Sequence, residues 1–528
     1  MSIGTVIAKL RGNANLSQEQ FGELFGISRQ SVQKWESDTT TPELEKLIRI
    51  AKYFDISLDA LVLESDPRFT EELTFHKEIK PRYANLPEWE SYSSNLRTEY
   101  RQCMEEGLEL AAYGDVFKMV SRLPKGEAKK KLADTLFEVV LHAKTAEGYR
   151  YIEPSTLEEI RALRKPAAPL PPVSADLENK IHGAWLGRIC GCLLGKAVEC
   201  IHTDELIPFL QETGNYPMHR YIHKADLTEE ILQKYKYRFA NRKYADAVTM
   251  MPSDDDTNYM VLSQKLIEKY GRDFTSYNVS RIWLALQPKD AYCTAERVAF
   301  CNFVKGYEPP ASAVYKNPFR EWIGAQIRGD YFGYINPGDP QTAADMAFRD
   351  ASISHVKNGI YGEMWVSAML AAAACTNDIK AILQAGLAEI PHTSRLYEAI
   401  GEIITAHENG VPQAEVFRAI HTRFDEHNPH DWCHTISNAM IVAASLLYGE
   451  GDYGKSICMA VETGFDTDCN GATVGSVLGL AFGKDAIDPV WSDPIRDTLK
   501  TTIFGIDTVS VSACARKTMD HIERKPLF

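Results

Sequence analysis

Over the first 65 residues, apolar side chains recur every three to four positions in five short runs separated by capping and turn residues, which predicts five helices. Ile3–Arg11 is the first. Asn15-Leu16-Ser17-Gln18-Glu19-Gln20 caps a second that ends at Phe25-Gly26, and Ser28 caps a third over Arg29–Ser37. Pro42 opens a fourth, Glu43–Phe54, and Leu58–Leu63 closes the set. Leu16, Phe21, Leu24, Ile27, Val32, Trp35, Leu47, Ile50 and Leu58 are the expected common core of a unit spanning 1–66. Residues 67–177 stay polar and helical, with clear periodicity over Trp89–Tyr113 and Ala128–Lys144, then Lys165–Pro172 as a short, stiff Pro-rich linker. From about residue 178 the pattern changes to small-residue helices.

Composition narrows the class. The 528 residues are 45% hydrophobic and 25% charged, which supports packed cores and predicts several domains. No apolar run reaches the roughly 18 residues of a membrane span, and the stretch MSIGTVIAKLRGNANLSQ lacks a secretory pattern, so a soluble, cytoplasmic protein without membrane partners is expected. Eleven scattered cysteines without a CxxC pair fit a reducing compartment. A net charge of −14 argues against broad nucleic-acid binding but not against one small DNA-reading unit.

The run LSQEQFGELFGISRQSVQKWESDTTTPELEKLIRIAKYFDISLDALV resembles the phage-repressor-like (XRE-type) helix-turn-helix almost position by position. The resemblance implies that the third helix enters a major groove, with Arg29, Gln30, Ser31 and Lys34 toward bases and phosphates and Gln18 touching backbone or a base. A homodimer on a two-part DNA operator is the corresponding form. Seven Lys/Arg against ten Asp/Glu over residues 1–66 keep open a module used for protein contacts instead.

Two glycine ladders lie far apart in the chain. Gly183, Gly187, Gly191 and Gly195 are spaced by four, as are Gly471, Gly475, Gly479 and Gly483. Each glycine costs a helix about 1 kcal/mol relative to alanine, so such stripes imply close helix packing. Arg188 and Lys196 and the short length argue against membrane pairing. Beside the ladders stand Ser253-Asp254-Asp255-Asp256-Thr257, ahead of an amphipathic helix Asn258–Tyr270, and Phe465-Asp466-Thr467-Asp468-Cys469-Asn470. One Asp at a helix start is ordinarily a cap. Five carboxylates brought together repel unless cations sit among them, and oxygen-only donors favour Mg²⁺ or Mn²⁺, up to two ions.

Together the first ladder, the DDDT cluster and the run GFDTDCNGATVGSVLG resemble the ADP-ribosylglycohydrolase family over about residues 178–528. The resemblance implies an all-α bundle around a dinuclear Mg²⁺ site, which makes the whole chain all-α. Asp254, Asp255 and Asp256 fall on the family's Thr-Asp-Asp ligands, and Asp466, Asp468 and Cys469 on its Asp-x-Asp-Thr ligands. Glu199 matches an acid/base glutamate, so Glu199, Asp255 and Asp468 are the implied catalytic residues. His355, His434 and Phe465 are candidate substrate contacts, with His430, Asp431 and Asn438 nearby in sequence. The chain departs from the family pattern at Asp254 and Cys469, which stand where threonines are usual, and at Phe465 in place of a glycine. The implied activity is Mg²⁺-dependent hydrolysis of an ADP-ribosyl glycosidic bond, on ADP-ribose or an ADP-ribosylated substrate, in a DNA-binding regulator. Two alternatives stand beside it: a non-catalytic ADP-ribose or nucleotide sensor controlling DNA binding, and a metal-dependent nucleoside hydrolase.

Overall fold

The computed structural model describes residues 2–63 and 83–523, and the chain divides into two compact units with the division between residues 82 and 83. The expected start of the extension at residue 67 lies outside the described residues.

In the first unit the five predicted helices form as Ile3–Asn13, Gln18–Phe25, Arg29–Glu36, Leu44–Tyr53 and Leu58–Leu63. Ser17 and Gln20 close a reciprocal capping box, and Ser28 accepts from the Ser31 amide. Gly26 at φ 63° takes the left-handed conformation that ends the second helix, so the third begins three residues later. One core expectation is corrected. Leu24 is 40% exposed, while Phe25 is buried at 2%. Phe21 and Phe25 are four apart and share the inward stripe, with ring centroids 4.7 Å apart, and Leu24 falls off its edge.

The second unit is helical apart from one antiparallel hairpin, Thr498–Ile503 with Ile506–Ser510, which the sequence patterning did not suggest. Its axis is the pair of ladder helices, Leu177–Lys196 and Thr467–Phe482. They run antiparallel, and each glycine but Gly483, which caps the second helix beside the Asn179 side chain, faces the other backbone. A methyl group on Gly187 would lie 2.2 Å from the Gly475 carbonyl oxygen, and one on Gly191 would lie 2.0 Å from that of Gly471. No side chain fits there, so the ladders are the condition for this approach. Antiparallel packing also brings the end of one ladder helix, Lys196 to Glu199, beside the start of the other, Asp466 to Cys469.

The hairpin braces the segment that leads into the first acid cluster. The Met251 amide donates to the Thr498 carbonyl at 2.8 Å and the Lys500 amide to the Met251 carbonyl at 2.9 Å, fixing the chain just before Asp254. The extension, with helices Leu96–Glu105, Gly114–Ser121 and Glu127–His142, has a small core of its own around Leu96, Phe117, Leu136 and Phe137. It belongs to the same unit as the bundle and meets it through buried ion pairs: Glu99 and Glu106 on Arg320, and Glu153 on Arg395. Lys165–Pro172 runs without helix or strand. No described helix is long and apolar enough to cross a membrane.

Candidate functional site

The two acid clusters meet where the ladder helices end. Asp254 is the N-cap of Asp255–Tyr270, with Oδ1 accepting the Asp256 amide at 3.0 Å. Asp466 is the N-cap residue of Thr467–Phe482 yet makes no side-chain capping bond, which leaves its carboxylate for other partners. Asn438 Oδ1 holds this turn by accepting the Asp466 amide at 3.3 Å and the Asn470 amide group at 2.8 Å. Asp256, Asp468 and Cys469 present ligand atoms that all lie within 4.8 Å of one another, as do Cys192, Asp254 and Asp256.

Basic partners reach only part of the cluster. The Lys196 ammonium pairs with Asp254 Oδ2. Arg188, buried between two ladder glycines, donates to Asp256 Oδ1 at 3.1 Å, to the Asp256 carbonyl at 3.0 Å and to Asp330 at 3.0 Å. Among the described residues Asp255, Asp466 and Asp468 have no ion pair. Burial, followed by neighbouring carboxylates including Glu199, pushes the Asp255 and Asp468 carboxyls well above the usual range. Burial also lifts Asp466, to about 7. Asp256 rises too, because burial and its acidic neighbours outweigh Arg188. Asp254 alone moves down: burial raises it, and Lys196 more than reverses that. This is a set of hard oxygen donors short of positive charge, the electrostatics of a divalent-cation site. The Cys469 thiol donates to Asp256 Oδ2 at 3.3 Å, and burial beside carboxylates raises it far above the usual thiol value.

Glu199 sits at the edge of the cluster with its side chain 32% exposed. Arg242 donates to Glu199 Oε2 at 3.0 Å and also to its carbonyl, and the Tyr237 hydroxyl donates to that carbonyl at 2.8 Å. The other sequence candidates are buried behind the site. Phe465 is at 0% exposure with its ring 5.2 Å from His421. His421 in turn lines a cavity of about 950 Å³ together with Thr203, Phe417, Phe424 and Glu462. His355 bonds to Ser354 at 2.8 Å, beside the buried Arg328 that holds Glu296 and Asp350.

His434 and His430 face the extension instead. His434 Nδ1 accepts the Ile436 amide at 3.1 Å, and His430 Nδ1 accepts from Trp322 Nε1 at 3.1 Å. Each ring therefore carries its proton on Nε2. His430 Nε2 donates to Glu105 at 3.0 Å, and His434 Nε2 lies 3.7 Å from the same carboxylate. Although these three side chains come within 4.8 Å of one another, the two histidines offer N–H groups rather than lone pairs, which leaves Glu105 as the one available donor to a metal. Asp431 pairs with Arg101 of the extension.

Sequence reasoning passed over Lys196 and Arg188 as site residues, noting them only as obstacles to a membrane reading. The available signal was two cations, Arg188 and Lys196, on the first ladder helix, whose glycine stripe implies burial. Glu105 carried none, because its histidine partners lie more than 300 positions away in sequence and Arg101, four residues before it, reads as an ordinary helix-surface pair.

In the first unit, Arg29, Gln30 and Lys34 are exposed on the third helix, and Ser31 is half-buried with its hydroxyl on Ser28 at 2.9 Å. Gln18 donates to Glu36 at 2.7 Å, and the same carboxylate takes both Arg11 Nε and Nη2. The recognition-helix side chains thus stand free of the core while Glu36 ties three helices together.

Comparison with known proteins gives two family matches: Helix-turn-helix over residues 7–61 and ADP-ribosylglycohydrolase over residues 173–518. The first unit is 37% identical over 62 residues to the HTH-type transcriptional activator BcrR of Enterococcus faecalis, a match covering 12% of this chain and 30% of that protein. It is 34% identical over 62 residues to the uncharacterized HTH-type transcriptional regulator YobD of Bacillus subtilis (strain 168), covering 12% of this chain and 55% of that protein. A solved structure described as an ADP-ribosylglycohydrolase-related protein complex covers 66% of this chain and 100% of its own, at 16% identity and a TM-score of 0.42.

Proposed function

We propose, for a chain that belongs to the ADP-ribosylglycohydrolase family through residues 173–518, that its body hydrolyses an ADP-ribosyl glycosidic bond in a Mg²⁺-dependent reaction and that its helix-turn-helix unit binds an operator as a cytoplasmic transcriptional regulator. The observation that carries the reading is the trio without ion pairs, Asp255, Asp466 and Asp468, set at the starts of the helices Asp255–Tyr270 and Thr467–Phe482, with Asp466 raising the carboxyls of the other two. These three, with Asp256, would hold the cation. When bound, Mg²⁺ supplies polarisation of the oxygens it touches.

The chain's own groups do the rest. Glu199 is half-buried with its side chain 32% exposed, so a water can reach it, and Arg242 fixes its orientation at 3.0 Å. In this reading Glu199 takes the proton of the water that attacks C1″ of the ribose while the glycosidic bond breaks with oxocarbenium character. Cys469 orients Asp256 through its thiol rather than acting as a ligand.

The test is release of ADP-ribose from ADP-ribosylated protein or small ADP-ribosyl conjugates with and without Mg²⁺. Glu199→Gln is expected to cut turnover at least 100-fold while ADP-ribose still raises the melting temperature. Melting shifts with ADP-ribose but no turnover on any conjugate would support the sensor reading, which the Arg242 guanidinium on Glu199 favours. For the first unit, Arg29→Ala with Lys34→Ala is expected to abolish enrichment of a near-palindromic site from random DNA without altering the melting of the body. Failure of the unaltered chain to enrich any sequence would leave a protein-contact module.

A further inference from the structure

We propose that the Lys196 ammonium occupies one of the two cation positions expected between the acid clusters, so that the chain binds a single divalent ion. The inference rests on the metal-dependent reading above and revises its number.

Asp254 is the residue that would anchor the second ion, and both of its oxygens already accept from donors. Its Oδ1 accepts the Asp256 amide at 3.0 Å, and its Oδ2 is bonded to the Lys196 ammonium. The Cys192 thiol lies within 4.8 Å of the Asp254 and Asp256 carboxylates and supplies a third donor. A divalent ion on Oδ2 would share that oxygen with an ammonium at contact distance, and the two positive charges repel.

Lys196 is no solvated surface charge that happens to fold inward. It is the last residue of the first ladder helix, so the close glycine packing sets where its side chain starts. The side chain is 20% exposed and Asp254 is 2% exposed. Asp468 of the other cluster also contributes to holding the ammonium in its charged form. The ammonium therefore stands in contact with Asp254, where a cation would sit. Asp255, Asp466 and Asp468 keep no basic partner among the described residues, and the ion goes to them.

The experiment counts bound Mn²⁺ on the purified full-length chain by electron paramagnetic resonance of the free ion, at neutral pH. One ion per chain is expected for the unaltered protein and for Lys196→Arg, which keeps the charge, and two for Lys196→Met, which frees Asp254. Two ions on the unaltered chain, or one on Lys196→Met, would overturn the proposal while leaving the glycohydrolase reading standing. No binding to any of the three would overturn that reading's metal as well. Should Lys196→Met fail to fold, the unaltered chain still decides: a spin-coupled Mn²⁺ pair in its bound spectrum refutes the proposal, and an isolated-ion spectrum supports it.

Discussion

Two buried clusters of carboxylates lie on neighbouring faces of the body, and they differ in how their charge is met. Where the extension joins the bundle, Glu99, Glu106, Glu153 and Glu321 are threaded by Arg320, Arg395 and Lys357 at 2.6–2.8 Å. Burial raises the Glu321 carboxyl, but Arg395 and His434 more than reverse it, and Glu321 ends well below the usual range. At the ladder ends Arg188 and Lys196 answer the same burial only in part, and Asp255, Asp256 and Asp468 end well above it. A cluster that brings its own cations is structure. One that brings too few is prepared for something from outside.

The contrast predicts opposite signs for removing charge at the two places. At the extension joint, Arg395→Met strips Glu153 and Glu321 of a guanidinium that serves both, with no water to replace it. A loss of about 3–5 kcal/mol in unfolding free energy is expected, the range for breaking a buried pair, and added Mg²⁺ should not restore it. A variant as stable as the parent in denaturant titration would show that the joint is wet and its pairing incidental. At the ladder ends, Asp468→Asn removes a carboxyl that repels its neighbours. The metal-free variant should be more stable than the metal-free parent by roughly 1–2 kcal/mol, about one unit of proton affinity, and its melting point should no longer respond to Mg²⁺. Lower stability without metal would mean that Asp468 already has a partner, and the two clusters would then not differ in kind.

Most of this contrast was legible in residue order only on the acidic side. Repeated glycines at a spacing of four encode which helices touch and how closely, because the spacing is a property of one helix and the need for glycine is a property of the contact. The five aspartates followed from their position beside those ladders. Their partners did not. Lys196 is written into the ladder itself, but a lysine at a helix end is ordinarily a solvated residue that suits the dipole, and only the antiparallel packing turns it toward Asp254. The joint is harder still, since Glu153 and Arg395 are 242 positions apart and nothing local marks either as buried. The hairpin was missed for another reason: TLKTTI and IDTVS are short, and their pairing is completed by Met251 from a distant loop. In the first unit, where every contact is local, caps and periodicity gave all five helices and misplaced only the side chain of Leu24.

The smallest effect tests whether the joint behaves as a charged cluster right to its edge, at Glu105. Burial raises this carboxyl, and the His430 hydrogen bond leads the groups that reverse it, bringing it to about 2; His434 and Arg101 add to the reversal. A carboxyl depressed in the folded state contributes stability above its unfolded value, near 4.3, and loses it as pH falls toward about 2. His430 shifts the same limb, since burial lowers its ring below the ordinary value near 6.5, and the folded chain resists the proton that the unfolded chain accepts. Glu105→Gln keeps the shape and removes the charge. The parent should exceed the variant by about 1 kcal/mol at pH 6–7, the worth of one charge-assisted hydrogen bond on a partly exposed group, and the gap should close between about pH 4 and pH 2. Urea unfolding of both proteins across pH 2–7 measures it. A gap that stays constant down to pH 2 would mean that Glu105 acts by shape alone, and the charge-matched joint would end at Glu106 and Glu321.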